Sequence, residues 1–249
     1  MDLQLYCLSL AHRLCNEKKL RNAYLAHMKF YIKVTSCVLI LLLASCDKKG
    51  NDLNTTSTYL ALGDSYTIGE NVVDSLRWPV QLVQELNKLN FKLDNPTILA
   101  KTGWTTDELL SAMDSVTLER NYDYVSLLIG VNNQYRGRSV ESFEPEFIEL
   151  LNRAIGLAKN NKRNVFVVSI PDWGAMPFAH NRDRNKITTE INSYNNAIER
   201  ICISQNISFF DVTAISRQAL YKSSYVASDG LHPSGEMYAA WVQIILPFF

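Results

Sequence analysis

Short, continuously apolar runs alternate with longer amphipathic segments from residue 57 to the last residue of the chain. The apolar runs predict strands buried on both faces, at 59–62, 97–100, 124–129, 164–170 and 207–210. The segments between and after them have helical spacing and predict helices at 78–89, 106–116, 142–160, 186–205 and 234–245. This alternation predicts an α/β fold, with one parallel sheet that is covered by helices on both faces.

The region 57–249 contains no Gly/Ser-rich or Pro-rich linker, internal repeat or charge block, so it is predicted to be one domain. Thr105 or Thr106 is a candidate N-cap for the second helix, because Asp107 and Glu108 follow. Functional sites in parallel sheets lie beyond the carboxyl ends of the strands. The loops after the first four strands are therefore where the chemistry is expected.

The N-terminal region has the pattern of an export signal. An apolar run at 38–44 follows Lys29 and Lys33 and ends before Ser45 and Cys46. The run is too short for an ordinary transmembrane helix, which needs about 20 apolar residues. Leu43-Ala44-Ser45-Cys46 resembles a bacterial lipobox, which implies cleavage before Cys46 and a lipid on its side chain. The alternatives are an uncleaved anchor and a signal cut elsewhere.

These features predict how the chain before residue 57 is organised. Residues 1–27 carry several charges and do not fit a signal, so they are predicted to be an extension upstream of the true start at Met28. Residues 28–45 are the predicted lipoprotein signal peptide and 46–56 a polar tether. The expected location is the bacterial cell envelope, outside the cytoplasm, with a lipid anchor on Cys46.

Composition excludes several functional classes. The chain has 25 Lys+Arg and 25 Asp+Glu, which argues against a nucleic-acid partner because phosphate binding needs a basic surplus. There is no C-x-x-C motif or Cys/His cluster, so no metal and no cofactor are expected. Removal of residues 1–45 would leave a mildly acidic domain, in which Cys202 has no cysteine partner for a disulfide.

Two loops contain a possible nucleophile and its base. Ser65 directly follows the first predicted strand, and a Ser is a weak nucleophile unless a base removes its proton. Asp229 precedes His232 by three residues and can accept its Nδ1 proton, which leaves Nε2 to face a hydroxyl. The structural alternatives are a Ser that caps a helix and a solvated His in a surface turn. His180 has no acid placed to orient it.

Two further loop residues could stabilise an oxyanion. Gly103 follows the second predicted strand and Asn132 follows the third. Acyl transfer needs hydrogen-bond donors directed at the developing negative charge, and a backbone N–H beside a glycine or an Asn amide can supply them. Each residue alone is also typical of a turn. Their positions in one predicted crevice, together with Ser65 and His232, favour a shared site.

These segments together resemble the SGNH, or GDSL, hydrolase family over essentially all of residues 57–249. Four blocks match in order and at suitable spacing: Gly63-Asp64-Ser65, Gly103, Gly130-Val131-Asn132-Asn133 and Asp229-Gly230-Leu231-His232. The resemblance implies a flavodoxin-like, three-layer α/β/α fold with a five-stranded parallel sheet. It also implies hydrolysis of esters, thioesters or amides by a Ser nucleophile.

The resemblance implies a role for each matching residue: Ser65 attacks, His232 acts as base and then as acid, and Asp229 orients His232. The implied oxyanion hole consists of the Ser65 N–H, the Gly103 N–H and the Asn132 side chain. The family commonly has Asp after that Asn, whereas this chain has Asn133. The hydrogen bonds that the Asp would make are therefore the point at which this chain departs from the pattern.

The predicted function is a serine esterase that hydrolyses acyl or acetyl esters through an acyl-enzyme intermediate. The alternative is a catalytically inactive, glycan-binding surface lipoprotein on the same fold. Candidate residues of a substrate rim are Trp104, Tyr135, Arg136, Trp173 and Phe178. Aromatic rings could stack on a sugar or line an acyl pocket, and Arg136 could bind a carboxylate or phosphate, while packing is the alternative for each. An O-acetyl glycan, a lysophospholipid and an aryl ester all fit this pattern.

Overall fold

The structure is a computed structural model that describes residues 56–118 and 121–249. The predictions for the upstream extension, the signal peptide, Cys46 and nearly all of the tether lie outside the described residues. Within the described ranges, no helix combines the length and apolar character that a membrane span requires.

Five parallel strands form a single sheet in the order β2-β1-β3-β4-β5. The strands are β1 (Tyr59–Gly63), β2 (Thr97–Ala100), β3 (Tyr124–Leu128), β4 (Val165–Val168) and β5 (Ser208–Phe210). All residues of β1 and β4 are buried, as expected for continuous apolar runs in a sheet that is covered on both faces. The predicted α/β fold is confirmed, and the strand order is that of flavodoxin-like folds.

The helices form two layers. They are α1 (Ser65–Ile68), α2 (Trp78–Lys88), α3 (Thr106–Ser115), α4 (Val131–Tyr135), α5 (Val140–Leu157), α6 (Arg184–Gln205), α7 (Thr213–Ser216) and α8 (Gly235–Ile245). Helix α2 packs against α8, while α5 packs against α3 and α6. Crossovers between parallel strands are right-handed as a rule, and with this strand order they place the two groups on opposite faces of the sheet. The five long helices match the predicted ones, whereas the short helices α1, α4 and α7 were not predicted.

Capping side chains explain where α3 and α5 begin. Ser139 accepts a hydrogen bond from the Ser142 N–H, so α5 begins at Val140, two residues before the predicted start. Thr105 is the N-cap of α3, and it forms a capping box with Glu108.

The register of the central strands sets the height of the functional loops. Gly63 at the end of β1 pairs with Ala100 on one side and Leu128 on the other. The loops after β1, β2 and β3 therefore leave the sheet at the same level. Strand order reverses between β1 and β3, and a crevice at such a switch point is where α/β folds bind their ligands.

Candidate active site

Ser65 is the first residue of α1 and directly follows the turn at the end of β1. The turn depends on Gly63, because a Cβ there would lie 2.1 Å from Thr67 Oγ1 and 2.5 Å from the Leu128 carbonyl oxygen. Only glycine allows α1 to approach the sheet this closely. Ser65 is nearly buried, and its hydroxyl donates to no acceptor within the described residues. At the first helical position, its backbone N–H also has no intrahelical acceptor.

Asp64 caps the helix that carries Ser65. Its Oδ1 atom accepts a hydrogen bond from the Tyr66 N–H at 3.0 Å, whereas Oδ2 is buried without a partner within the described residues. Burial raises the pKa of Asp64 to about 7, although the backbone hydrogen bond from Tyr66 lowers it. A carboxyl group that titrates near neutral pH therefore stands next to the candidate nucleophile.

His232 and Asp229 form a fixed pair in the turn before α8. His232 Nδ1 lies 2.5 Å from Asp229 Oδ2, and the backbone N–H groups of Leu231 and His232 both donate to Asp229 Oδ1 at 3.0 Å. Partial burial raises the pKa of Asp229, but the hydrogen bonds from the His232 ring and from these N–H groups lower it below its ordinary range. An ionised Asp229 holds the Nδ1 proton and leaves His232 Nε2 as the basic nitrogen.

Asn71 also contacts this pair, which the sequence did not indicate. Its side-chain Nδ2 donates to Asp229 Oδ2 at 2.6 Å, to the same oxygen that faces His232. Asn71 has a φ of 61°, a left-handed conformation that Asn adopts more readily than most residues. Because 158 positions separate Asn71 from Asp229, no local pattern connects them.

Gly103 and Asn132 belong to the loops after β2 and β3, the two strands that flank β1. Gly103 has a φ of 87°, and a Cβ there would have no neighbour closer than 4.0 Å, so backbone conformation rather than space favours glycine. Asn132 Nδ2 donates one hydrogen bond to the Trp104 carbonyl oxygen at 3.0 Å. An amide nitrogen has two protons, so the second remains available.

Arg136 and Trp104, two candidate rim residues, belong to the loop scaffold. Arg136 donates to the Gly103 carbonyl oxygen at 2.7 Å and forms a salt bridge with Glu108 at 3.2 Å. Trp104 is partly buried and packs against the core. Both contacts fix the loop that carries Gly103.

Asn133 takes over the hydrogen bonding at the position where the family commonly has Asp. It is fully buried, its Oδ1 accepts from the Thr106 N–H at 3.1 Å, and its Nδ2 donates to Thr106 Oγ1 at 2.6 Å. The Thr106 hydroxyl in turn donates to Glu146. With Asn instead of Asp at position 133, α4 and the start of α3 thus remain connected by hydrogen bonds. Glu146 is the last acceptor in this chain of hydrogen bonds.

One cavity of about 230 Å³ brings most of the predicted residues together. Its lining includes Ser65, Gly103, Asn132, His232, Tyr135, Trp173 and Phe178. Asp229 lies behind His232, whereas Trp104 and Arg136 are not among the lining residues. His180 is exposed and separate from the cavity. A larger groove of about 550 Å³ beside α3 and α5 contains none of these residues.

Within the described ranges, no group of three or more His, Cys, Asp or Glu side chains is arranged to hold a metal ion. The polar groups of the cavity are those of nucleophilic catalysis: a hydroxyl, an oriented imidazole and hydrogen-bond donors.

One known protein family matches most of this chain. Residues 61–240 match the GDSL-like lipase/acylhydrolase family. The chain belongs to this family. It is therefore a hydrolase of the type that acts on ester bonds, and the matched region contains every residue of the cavity. No curated protein sequence matches the chain significantly.

Solved structures of other proteins share the fold. TesA superposes with a TM-score of 0.61 and 16% identity, over 77% of this chain and 97% of TesA. A variant of Axe2, an acetyl xylan esterase from Geobacillus stearothermophilus, superposes with a TM-score of 0.62 and 16% identity, over 78% of this chain and 95% of Axe2. The psychrotrophic esterase EstA from Pseudoalteromonas, inhibited by monoethylphosphonate, superposes with a TM-score of 0.58 and 15% identity, over 77% of this chain and 95% of EstA. At these identities the similarity establishes the three-layer fold alone.

Proposed function

We propose that this protein is a serine esterase that uses Ser65, His232 and Asp229 as a catalytic triad. The observation that carries the proposal is that Ser65 and His232 line the same cavity, with His232 held by Asp229 at 2.5 Å. Gly103 and Asn132 line the same cavity and supply the N–H donors that acyl transfer requires.

In the first half-reaction, Ser65 Oγ attacks the ester carbonyl carbon while His232 Nε2 takes the hydroxyl proton. The carbonyl oxygen becomes an oxyanion, which accepts hydrogen bonds from the Ser65 N–H, the Gly103 N–H and Asn132 Nδ2. Collapse of this intermediate breaks the ester C–O bond. The alcohol leaves with the proton from His232, and the acyl group remains bound to Ser65.

In the second half-reaction, water replaces the alcohol. His232 Nε2 takes a proton from the water, whose oxygen attacks the acyl carbon. The second oxyanion uses the same donors, and its collapse releases a carboxylic acid and returns the proton to Ser65 Oγ. Asp229 keeps its charge throughout and stabilises the protonated His232 ring.

Substitution of the oxyanion donor tests this proposal quantitatively. Asn132→Ala is expected to raise the activation barrier by about 2.7–4 kcal/mol, which is a loss of roughly 100- to 1,000-fold in kcat. The measurement is hydrolysis of 4-nitrophenyl acetate, with Asn185→Ala on the exposed side of α6 as the control.

Ser65→Ala is expected to abolish turnover without loss of folding, as judged by circular dichroism. Full activity of either site variant would contradict its role, and a folded wild type inactive on aryl, glycan and lysophospholipid esters would favour the binding-protein alternative.

We also propose that the domain is held at the bacterial envelope by a lipid on Cys46. The support is the order of basic residues, apolar run and lipobox-like Leu43-Ala44-Ser45-Cys46. Two acyl chains on one residue would suffice for stable anchoring. Mass spectrometry of the protein expressed in a bacterium should find a lipidated N-terminal Cys46. An unmodified Cys46, or peptides from residues 1–27, would contradict this organisation.

A further inference from the structure

Three aromatic side chains form one side of the cavity, here called the aromatic wall: Tyr135, Trp173 and Phe178. The ring centroids of Tyr135 and Trp173 are 5.4 Å apart, and those of Trp173 and Phe178 are 6.2 Å apart. Tyr135 is 49% exposed and Phe178 42%, whereas Trp173 is only 4% exposed. The wall thus extends from the cavity to the outer surface.

Hydrogen bonds anchor the Trp173 side chain and the Phe178 backbone of the aromatic wall. The Trp173 Nε1–H donates to Gln134 Oε1 at 2.8 Å, and Gln134 Nε2 donates to Glu190 at 2.6 Å. The Phe178 N–H donates to the Gly230 carbonyl oxygen at 2.9 Å, within the turn that carries Asp229 and His232. Trp173 and the backbone of Phe178 are therefore anchored next to the proposed catalytic residues.

Arg182 lies over all three rings of the wall. Its Cζ atom is 5.3, 5.7 and 5.4 Å from the centroids of Tyr135, Trp173 and Phe178, and a terminal nitrogen donates to the Tyr135 hydroxyl at 3.2 Å. Arg182 forms no ion pair with an acidic side chain of the described ranges, whereas Arg136 pairs with Glu108. Arg182 is exposed, so a guanidinium group with free donors lies against the outer part of the aromatic wall, beside the cavity.

We propose that Arg182 determines specificity by binding an anionic group of the ester substrate, a carboxylate or a phosphate. This inference rests on the proposed esterase function and narrows its substrate class. The three rings and the hydrogen bond to the Tyr135 hydroxyl orient the guanidinium, and its remaining N–H groups are free to form paired hydrogen bonds with either anion. The same rings remove water from one side of the charge, which strengthens its attraction for an anion.

The test compares three aryl acetates that release the same acetyl group. 4-Acetoxybenzoate carries a carboxylate, 4-acetoxyphenyl phosphate carries a phosphate, and 4-acetoxybenzamide is neutral and of similar shape. Arg182→Gln should lower kcat/KM roughly 10- to 100-fold for at least one anionic ester, and less than about twofold for the amide. The anionic ester with the larger loss identifies which of the two groups the site recognises.

Two variants separate charge from packing. Arg182→Lys keeps a cation over the rings and should retain part of the preference, without the paired hydrogen bonds. Arg163→Gln removes the same charge from an exposed position just before β4, at the amino ends of the strands and so away from the cavity. It should leave the hydrolysis rates of all three esters unchanged. A packing role alone would reduce the three rates equally.

A binding measurement keeps this inference distinct from the proposed chemistry. In the Ser65→Ala background, Trp fluorescence titrations should show tighter binding of the preferred anionic ester than of the amide, with the difference lost in Arg182→Gln. That result would support anion recognition even if Ser65 proved not to be the nucleophile. Equal binding of all three esters, or equal losses in turnover for all of them, would overturn the role of Arg182 and leave the esterase function intact.

Discussion

The Asp229 carboxylate accepts four hydrogen bonds, and one of them comes from a residue far away in the chain. Backbone N–H groups hold Oδ1, while the His232 ring and the Asn71 side chain share Oδ2. Asn71 thus fixes the oxygen that orients the proposed base. We expect Asn71 to act as a positioning residue, because it contacts Asp229 and is not among the residues that line the cavity.

Asn71→Gly tests this role without straining the backbone, because glycine accepts a φ of 61°. Loss of one hydrogen bond is expected to lower kcat roughly two- to tenfold and to leave KM nearly unchanged. The control is Asn90→Gly, an exposed position with a φ of 64° at the end of α2. An effect on KM alone, or equal effects of both variants, would argue against positioning.

At the level of elements, a chain of hydrogen bonds connects the starts of α4 and α3 to the first half of α5. Asn133 donates to the Thr106 hydroxyl, which donates to Glu146. A hydroxyl has one proton, so it can serve only one of two carboxylates. An amide at 133 and a carboxylate at 146 are therefore a matched pair.

Asn133→Asp is expected to lower the free energy of unfolding by about 1–3 kcal/mol, because the buried carboxylate at position 133 and the partly buried Glu146 would then compete for one proton. The double variant Asn133→Asp/Glu146→Gln reverses the direction of the chain, because the new amide at position 146 can donate to the Thr106 hydroxyl, which can then donate to the new carboxylate at position 133. We expect it to be more stable than the two single changes predict, as measured by urea unfolding at neutral pH. Strict additivity of the changes would contradict the matched pair.

The sequence predicted elements well where a pattern is long or strongly apolar. Strand β2 was placed at its observed residues, because 97–100 is an apolar run between polar turns. Helix α4 was not predicted, because five residues are too few for a periodic pattern and its position depends on contacts with α6.

The residues of the candidate site were likewise predictable where a sequence pattern marks them and not where contacts between distant segments place them. Ser65, Gly103 and Asn132 could be placed together, since strand ends of a parallel sheet meet at one edge, whereas the prediction for His232 came from its spacing to Asp229 and from the family resemblance. Long side chains were harder to assign: Arg136 was a candidate for binding substrate but pairs with the backbone of Gly103. Asn71 was missed because its partner Asp229 is 158 positions away. Arg182 was missed because no motif includes it and because the three rings that it contacts come from two separate segments.

For the molecule as a whole, the buried Asp64 couples folding to pH. Its pKa rises from an ordinary value of 3.8 to about 7, so the folded state binds this proton more tightly than the unfolded state. The Asp64 contribution to stability is therefore fully present below about pH 4 and is lost as pH rises to about 7. Above that pH the loss is complete and constant.

Asp64→Asn removes this titration and keeps an oxygen to accept from the Tyr66 N–H. We expect the free energy of unfolding of the variant, relative to wild type, to increase between pH 5 and pH 8. Urea unfolding at both pH values measures this difference, with the exposed Asp94→Asn as the control. Parallel pH dependences of wild type and Asp64→Asn would contradict the account of this buried carboxyl.

The proposed mechanism depends on Ser65 as a nucleophile that is activated within this cavity. Diethyl 4-nitrophenyl phosphate reports on it directly, because attack by a Ser Oγ on phosphorus expels 4-nitrophenolate and leaves a stable phosphoryl adduct. Intact-mass and peptide analysis should find one adduct per chain, on the peptide that contains Ser65. The adduct should be absent in Ser65→Ala and present in Ser111→Ala, an exposed serine of α3. An unlabelled wild type, or a label on another residue, would contradict the claim.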